Sequence, residues 1–556
     1  MRTYDDTMFI DTFEHEYTWL SGFMRNVARF SGKTALIDPE SKSRWTYASL
    51  NEEANRLANA LQTLGLKKND VVMAALRNSP EFAFAYIGPR KIGAILLASH
   101  VSFAAVEFAL LMNHNKPQAV IYDAEIAPVI SEAQAIADWK PKIFIFTGSS
   151  RKKNQAMAGS SKNHISYEDF TKKASPKNPE ISFRPHIYDE VLRFCTSGTS
   201  ALPKLVPIND INEVLSAHDV IMHYPLTPND VTMNMTPWFH RGGSHAGGLC
   251  PTLYVGASAV IMRKFQPANT LDWVEKFKIT FLTGSPPNLA YLSRAQEKSR
   301  RNLASLKGLV TMGAPLSKSD CMRYMSTLTP NIFNCYGTTE TFWNSFLRPY
   351  NLPEGAGSVG LSCTDDEVRV VRIQEGSETA PEECVAQDNA TEGEIIIKAP
   401  GKSTCTYINE KSLSAEKFQQ GWLYTGDTGV WNEKGIVTVL GRKDDMIITS
   451  GENIYPAQIE EVLESHPKVM DSIVTSIPDS VRGQAIVAYV VPADKSLTIR
   501  ELFDFCTENE KLSLYKRPRY FALIDEIPLT ATGKKRHSEM KARAVKDLEA
   551  GLLKKD

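Results

Sequence analysis

The chain has 556 residues, with 63 basic against 64 acidic side chains and a formal net charge of -1. This length exceeds what one compact core holds, so we expect two or more domains and exclude a binding peptide or a small module. The balanced charge excludes a global field that would attract nucleic acid or an anionic membrane.

The cysteines and the first residues indicate a reducing, cytoplasmic location. Eight cysteines are scattered along the chain without any Cys-x-x-Cys pair, a pattern typical of reduced thiols. The opening stretch, MRTYDDTMFIDTFEHEY, carries acids where a secretory signal needs bases and an apolar run. The most apolar stretch, 94–110, is interrupted by His100 and Glu107 and is short, so it predicts buried core.

The predicted elements alternate between helix and strand. A helix over 52–65 is indicated by apolar residues at helical spacing before Gly65, namely Ala54, Leu57, Ala58, Leu61 and Leu64. Short β-rich runs follow at 118–122, 142–147, 308–312 and 393–397, with helical stretches between them. The polar segment 148–165 predicts an exposed loop or linker. The alternation favours an α/β fold.

A charged turn, GRKDD at 441–445, marks a domain boundary. It separates a predicted strand at 436–440 from a new unit with a helix at 457–464 and a strand at 486–491. We therefore predict an N-terminal domain over 1–441, a hinge at 442–445 and a compact C-terminal domain over 446–556.

A hydroxyl-rich stretch predicts an anion-binding loop. It reads Thr196, Ser197, Gly198, Thr199, Ser200, Ala201, Leu202, Pro203 and Lys204. Hydroxyls around a glycine, freed backbone N–H groups and a nearby lysine can collect several donors around a polyphosphate. An ordinary Ser/Thr-rich surface turn explains these residues equally well, and no Walker sequence is present.

Four further stretches change that balance: Tyr336-Gly-Thr-Thr-Glu340, Tyr424-Thr-Gly-Asp427, GRKDD at 441–445, and Pro-Leu-Thr-Ala-Thr-Gly-Lys ending at Lys534. In this order and over this length, the five stretches resemble the adenylate-forming, AMP-binding superfamily of acyl- and aryl-CoA ligases. The C-terminal part looks most like aryl-CoA ligases such as 4-chlorobenzoate- and benzoate-CoA ligase. The resemblance implies a large N-terminal domain of mixed β-sheets with packed helices and a small, mobile α+β C-terminal domain.

The resemblance also implies the ATP- and AMP-binding residues. Tyr336 is expected on the adenine, Thr339 at the α-phosphate, and Glu340 as a hard oxygen ligand for Mg²⁺. Asp427 is expected on the ribose hydroxyls, and Arg442 on the same sugar or phosphate. The remaining nucleotide-site residues implied are Gly313, Ala314, Gly337 and Thr338, together with Thr196–Ser200 and Lys204 of the loop.

Lys534 is the implied catalytic lysine of the adenylation step. Negative charge builds on phosphate oxygens as a carboxylate attacks the α-phosphorus, and an ammonium beside Mg²⁺ stabilises it. The alternative is a solvated basic tail, because Lys535, Arg536, Lys541 and Arg543 follow.

The second half-reaction requires Lys534 to leave. In the family the C-terminal domain rotates about the residue that corresponds to Asp444, although a simple capping role explains an Asp-Asp pair as well. After rotation the resemblance places coenzyme A against five residues: Gly451, Arg482, Tyr515, Lys516 and Arg517.

The acyl pocket is implied by Trp238-Phe-His-Arg-Gly-Gly, in which His240 would orient the substrate carboxylate. A core histidine is the alternative. The other pocket residues implied are Arg241, Ala314, Cys335, Gly337, Phe342 and Trp343, a lining that favours a compact or flat acid. Arg241 departs from the apolar residue of aryl ligases, so it either meets a second polar group on the substrate or turns outward to a surface carboxylate.

The sequence thus predicts an AMP-forming acid-thiol ligase that uses ATP, Mg²⁺ and coenzyme A on an aromatic, cyclic or otherwise compact acid. Two alternatives remain: a ligase that loads a carrier-protein thiol, and a nucleotide-binding protein with degraded catalysis. The expected partner is a small carboxylic acid, without nucleic acid or membrane insertion, and a homodimer is left open.

Overall fold

The computed structural model describes residues 4–148, 163–196, 203–374, 379–449, 452–479, 482–509, 512–530 and 534–555. The predicted loop at 148–165 therefore lies largely outside the described residues. Within the described residues, the helices include none long and apolar enough to cross a membrane. All eight cysteines are free thiols.

Two large sheets form the N-terminal part. The seven-stranded sheet is parallel except at one edge, where its last two strands form an antiparallel hairpin. In spatial order its strands are His164–Ser166, Ile143–Thr147, Ala119–Asp123, Val71–Ala75, Ile95–Ala98, Glu190–Thr196 and Lys204–Asn209. The nine-stranded sheet has the order Leu361–Ser362, Phe342–Leu347, Ile332–Thr338, Gly308–Met312, Phe281–Gly284, Val231–Asn234, Ser258–Val260, Thr34–Asp38 and Ser43–Thr46.

Helices pack against these sheets and bury apolar side chains together with them. They are Thr7–Glu16, Trp19–Arg29, Tyr47–Thr63, Pro80–Ile87, Ala105–Asn115, Ala127–Ile136, Tyr167–Thr171, Asp210–His223, Arg241–His245, Leu249–Val255, Pro267–Phe277, Pro286–Lys298 and Lys318–Thr327. The predicted helix over 52–65 is confirmed, but it begins at Tyr47 because the Thr46 side chain accepts from Ser49 N and caps it. It ends before Gly65, which adopts a positive φ of 87°.

A third, five-stranded sheet follows, and the fold then passes to the C-terminal part. The five strands are Glu367–Val371, Gly393–Lys398, Trp422–Trp431, Phe418–Gln419 and Val437–Arg442, with the helix Lys411–Lys417 beside them. The C-terminal sheets contain Ile447–Thr449 with Glu452–Ile454, and Val469–Asp479, Gly483–Pro492, Tyr520–Leu523 and Lys554–Lys555. Their helices are Pro456–Glu464, Ile499–Glu508 and His537–Glu549.

The predicted elements are present. The strands expected near 118–122, 142–147, 308–312 and 393–397 are all observed, and the apolar stretch 94–110 forms a strand and the start of a helix, mostly buried but with Val106 exposed. The predicted α/β class with a smaller C-terminal unit is confirmed. Two hydrophobic clusters of the C-terminal part draw all their buried residues from Ile447 onward, so the apolar burial of this part is internal.

Candidate active site

The proposed phosphate loop joins two paired strands. Thr196 ends one strand and Lys204 begins the next, and their Cα atoms are antiparallel partners. Ser197, Gly198, Thr199 and Ser200 lie outside the described residues. The Lys204 ammonium lies 5.6 Å from the centre of the Tyr407 ring, and the Tyr407 hydroxyl donates to Glu340 Oε1 over 2.7 Å. Lys204 and Glu340 are therefore brought to one place by Tyr407.

Tyr407 was not among the residues predicted from sequence. It lies in the segment between two strands of the third sheet, where the sequence carries no periodic pattern and no motif. Its hydroxyl fixes one oxygen of the Glu340 carboxylate, while Oε2 has no recorded protein partner among the described residues. A carboxylate with one oxygen held and one open suits a hard divalent cation, so Glu340 fits the Mg²⁺ expected there.

The Tyr-Gly-Thr-Thr-Glu motif forms a tight hairpin rather than an isolated turn. Tyr336 to Thr338 pair with Ser345 to Phe342 across it, with a register shift after Tyr336. A Cβ on Gly337 would lie only 1.6 Å from the Phe342 carbonyl oxygen, so only glycine fits. The hairpin presents Thr338, Thr339 and Glu340 together at its tip.

A second contact group surrounds Asp427. The Tyr336 hydroxyl donates to Asp427 Oδ2 over 2.6 Å, and Arg442 Nη1 donates to Oδ1 over 2.8 Å. Burial and the Asp427 charge raise the pKa of Tyr336 well above its usual range, so its hydroxyl stays protonated. The structure thus brings Tyr336, Asp427 and Arg442 together, although the first and last are more than 100 residues apart in sequence.

Lys534 reaches this region from the C-terminal part. Its Cε lies 3.8 Å from the position that a Cβ would take on Gly313, whose φ is 84°. Gly313 itself is exposed and the adjoining Ala314 is half-buried, at the end of the strand Gly308–Met312. Lys534 itself is exposed, as are Arg536 and Lys541, whereas the Lys535 side chain is only 20% exposed.

His240 faces the same space as Lys534. Burial lowers the pKa of His240 to about 3, with His100 and Lys534 adding to the shift, so the imidazole is neutral at neutral pH. Its Nε2 atom is buried and has no hydrogen-bond partner. The His100 ring lies 5.7 Å away in an edge-on arrangement. A neutral, unpartnered imidazole nitrogen of this kind can orient a ligand carboxyl or hydroxyl.

Arg241 does neither of the two things expected of it. It is 1% exposed, and its guanidinium donates to Thr339 O (2.9 Å), Lys402 O (2.7 Å) and Ser216 Oγ (3.2 Å). The expected outward turn to a surface carboxylate is wrong, and its Nη groups are taken by the protein instead of a substrate. Arg241 thus ties the Thr339 hairpin tip to the layer behind it.

The remaining expected pocket residues Trp238, Cys335, Phe342 and Trp343 are each at most 3% exposed. Cys335, Phe342 and Trp343 belong to one apolar cluster, with the Phe342 and Trp343 rings stacked at 4.9 Å. They form a dense apolar layer within the two strands of the hairpin.

The residues expected to contact coenzyme A bond within their own part of the chain. Lys516 donates to Gln458 Oε1 over 2.7 Å, Arg517 to Leu512 O over 3.3 Å, and the Arg482 amide to Asp479 Oδ1 over 2.9 Å. Gly451 and the Tyr515 side chain lie outside the described residues. Asp444 is exposed, 3.9 Å from Arg442 Nη2.

Comparison with known proteins gives matches along almost the whole chain. A family model described as AMP-binding enzyme matches residues 23–406, and one described as AMP-binding enzyme C-terminal domain matches residues 458–534. The 4-chlorobenzoate-CoA ligase of Arthrobacter sp. is 28% identical over 530 residues, covering 91% of each chain. The indoleacetate-CoA ligase of Aromatoleum aromaticum is 28% identical, covering 92% of this chain and 95% of its own. The crystal structure of an anthranilate CoA ligase with anthranoyl-AMP superposes with a TM-score of 0.85 at 25% identity, over 97% and 98% of the two chains.

Proposed function

The chain belongs to the family of AMP-binding enzymes and is an acyl- or aryl-CoA ligase that uses ATP, Mg²⁺ and coenzyme A, and from this premise we propose that it activates a compact aromatic or cyclic acid. The recognition made from five sequence motifs is thereby confirmed. The observation that carries the mechanism is the approach of Lys534 to Gly313 beside the Glu340 hairpin. Free thiols at all eight cysteines support a reducing cytoplasmic location.

In the proposed first step, the substrate carboxylate attacks the α-phosphorus of ATP and pyrophosphate leaves. Lys534 places an ammonium at the phosphate oxygens on which charge accumulates. Mg²⁺ held at Glu340 supplies further charge neutralisation when bound. Asp427 accepts hydrogen bonds from the ribose, its own orientation fixed by Tyr336 and Arg442.

His240 orients the carboxylate in this proposal. A neutral imidazole carries no charge that would trap the carboxylate as an ion pair, and its unpartnered Nε2 is free to take part in one hydrogen bond. The dense layer of Cys335, Phe342 and Trp343 limits the depth available to the acyl group, which supports a flat ring over a long chain.

In the proposed second step the C-terminal part turns about Asp444, and Lys534 leaves the site. The chain's own apolar clusters support such a movement, because each lies wholly on one side of the 442–445 segment. The thiol of coenzyme A then attacks the acyl carbon and AMP leaves. Arg482, Lys516 and Arg517 are the proposed contacts for the coenzyme A nucleotide.

An acid panel tests the function. We expect benzoate, 4-chlorobenzoate, anthranilate or indoleacetate, with ATP and Mg²⁺, to release pyrophosphate, and added coenzyme A to lose its free thiol in equal amount. Pyrophosphate release without thiol loss would favour a carrier-protein acceptor. ATP binding with no pyrophosphate from any acid would favour degraded catalysis, and hexadecanoate as the best substrate would contradict the compact pocket.

Arg241 is expected to act on every acid alike. In Arg241→Met, three charged hydrogen bonds to Thr339, Lys402 and Ser216 are lost, which should lower the free energy of unfolding by about 1–3 kcal/mol. We expect adenylation rates to fall by a common factor, measured across mono- and dicarboxylic aromatic acids, while the exposed Arg29→Met control stays at the wild-type rate. A loss confined to dicarboxylic acids would instead assign Arg241 to the substrate.

A further inference from the structure

The residue after the catalytic lysine is held in a carboxylate cage. We give this name to Glu460, Glu464 and Asp471, whose oxygens lie 3.2, 2.6 and 3.2 Å from Lys535 Nζ. The Lys535 side chain is only 20% exposed and the Glu460 side chain 8%. Burial alone would lower the pKa of Lys535, but the three carboxylates raise it above its usual range, so it carries a full charge.

The cage is built into the rigid body of the C-terminal part. Glu460 and Glu464 occupy successive turns of the helix Pro456–Glu464, and Asp471 lies in the strand Val469–Asp479. Glu460 Oε1 also accepts from the Val474 amide and from His537 Nε2, each over 2.8 Å. Burial would raise the pKa of Glu460, but Lys535 and His537 lower it to about 2, so the carboxylate stays charged.

The backbone on either side of Lys534 is closed by local hydrogen bonds. Lys535 pairs with Leu529, the Thr530 amide donates to Lys534 O over 2.7 Å, and the Arg536 amide donates to Pro528 O over 3.0 Å. In extended backbone, neighbouring side chains point to opposite sides. Because the Lys535 side chain points into its own domain, we expect the Lys534 side chain on the opposite side, where its Cε lies 3.8 Å from the position of a Cβ on Gly313.

We propose that Lys535 is a positioning residue for adenylation: its ion pairs with Glu460, Glu464 and Asp471 fix the backbone that aims Lys534 at the nucleotide site. This rests on the proposed function of Lys534. Among the described residues, the hydrogen bonds and ion pairs of the three cage carboxylates all lie within the C-terminal part, so we expect the effect to be confined to the half-reaction in which Lys534 is present.

The test compares the two half-reactions in Lys535→Met. Using the acid of the panel that releases most pyrophosphate, we expect adenylation to fall about 10- to 100-fold, because an ångström-scale misplacement of a reacting group has that effect. Thioester formation from supplied acyl-adenylate and coenzyme A should stay within about twofold of wild type. Normal thioester formation also shows that the variant is folded.

The matched control is Lys468→Met. Lys468 lies in the same domain, and its ammonium forms a surface ion pair with Glu501 over 2.7 Å. It should leave both half-reactions within about twofold of wild type, as expected for an exposed ion pair. Glu464→Gln should repeat the Lys535→Met pattern with a smaller loss. Adenylation by Lys535→Met within twofold of wild type, or equal loss in both half-reactions, would overturn the proposal.

A labelling experiment separates the cage from the proposed function. With acetic anhydride as probe and mass spectrometry as readout, Lys535 in the wild-type protein should react at least about 10-fold more slowly than Lys534, since an ion-paired ammonium is a poor nucleophile. Glu464→Gln should reduce that protection. Equal labelling of the two lysines in the wild type would contradict the ion pairing of Lys535 in the carboxylate cage, even if no acid in the panel is a substrate.

Discussion

Lys534→Ala is expected to lower acid-dependent pyrophosphate release by about 100- to 1,000-fold, the usual cost of removing one charge-stabilising donor from a transition state. In the wild-type protein the Lys534 Cε lies 3.8 Å from the position that a Cβ would take on Gly313. Among the described residues, no other atom of the C-terminal part lies closer to that position. Thioester formation from supplied acyl-adenylate should be spared, because in the proposed second conformation Lys534 has left. Initial rates of the two half-reactions measure this directly.

The matched control for Lys534 is Lys541→Ala, an exposed lysine on the helix His537–Glu549 of the same domain. It should keep wild-type rates in both assays. Equal loss of both half-reactions in Lys534→Ala would refute the proposal that the enzyme uses a different conformation for each half-reaction. A residue that is absent from the site in the second step cannot slow that step.

Glu213→Ala should lower the free energy of unfolding by about 3–5 kcal/mol, the range for breaking a buried ion pair and leaving one charge behind. Glu213 is fully buried, accepting from Arg90 Nη2 at 3.1 Å, from His245 Nε2 at 2.5 Å and from the Tyr86 hydroxyl. Arg90 is itself buried, and without Glu213 its guanidinium loses the carboxylate to which it donates. Urea denaturation measures the loss.

The control for Glu213 is Glu297→Ala, which removes a surface ion pair with Arg323 at 3.2 Å and should change the free energy of unfolding by less than about 1 kcal/mol.

The pH dependence of stability gives a second check on Glu213. Burial alone would raise the pKa of Glu213, but His245 and Arg90 lower it from 4.5 to about 2. The folded-state pKa is depressed, so this stabilisation is complete above pH 4.5 and is lost as the pH falls toward 2. A loss below 1 kcal/mol in Glu213→Ala would contradict this assignment.

The Glu213 network also explains how the acyl side of the site is held. Glu213 and Ser216 lie on the helix Asp210–His223, and His245 ends the short helix Arg241–His245, for which His240 is the N-cap residue. Ser216 accepts from Arg241, and the Ser244 hydroxyl donates to the His240 carbonyl over 3.2 Å. One buried carboxylate thus links the helix Asp210–His223 to the short helix Arg241–His245.

His240 and His245 lie at the two ends of one short helix and have different surroundings. His245 belongs to the Glu213 network. Glu213, His245 and Cys250 lie close together, but Arg90 and the Tyr86 hydroxyl already donate hydrogen bonds to the Glu213 carboxylate. His240 alone faces Lys534.

The sequence by itself determined the family, the α/β class and the main elements, because hydrophobic periodicity and short motifs are local properties of the chain. Motif order was enough to bring Tyr336, Asp427 and Arg442 to one site. The roles of individual site residues remain predictions. Ser197, Gly198, Thr199 and Ser200 of the loop, and Gly451, lie outside the described residues.

Only the tertiary structure decided which charged residues pair with one another inside the protein. Arg241 looked like a substrate contact and Lys535 like part of a basic tail, yet both are buried and paired with groups distant in sequence. Tyr407 carried no signal at all. A side chain's partner is set by packing between elements, which a single sequence does not record, whereas the loop at 196–204 and Lys534 are marked by motifs that the reaction itself requires.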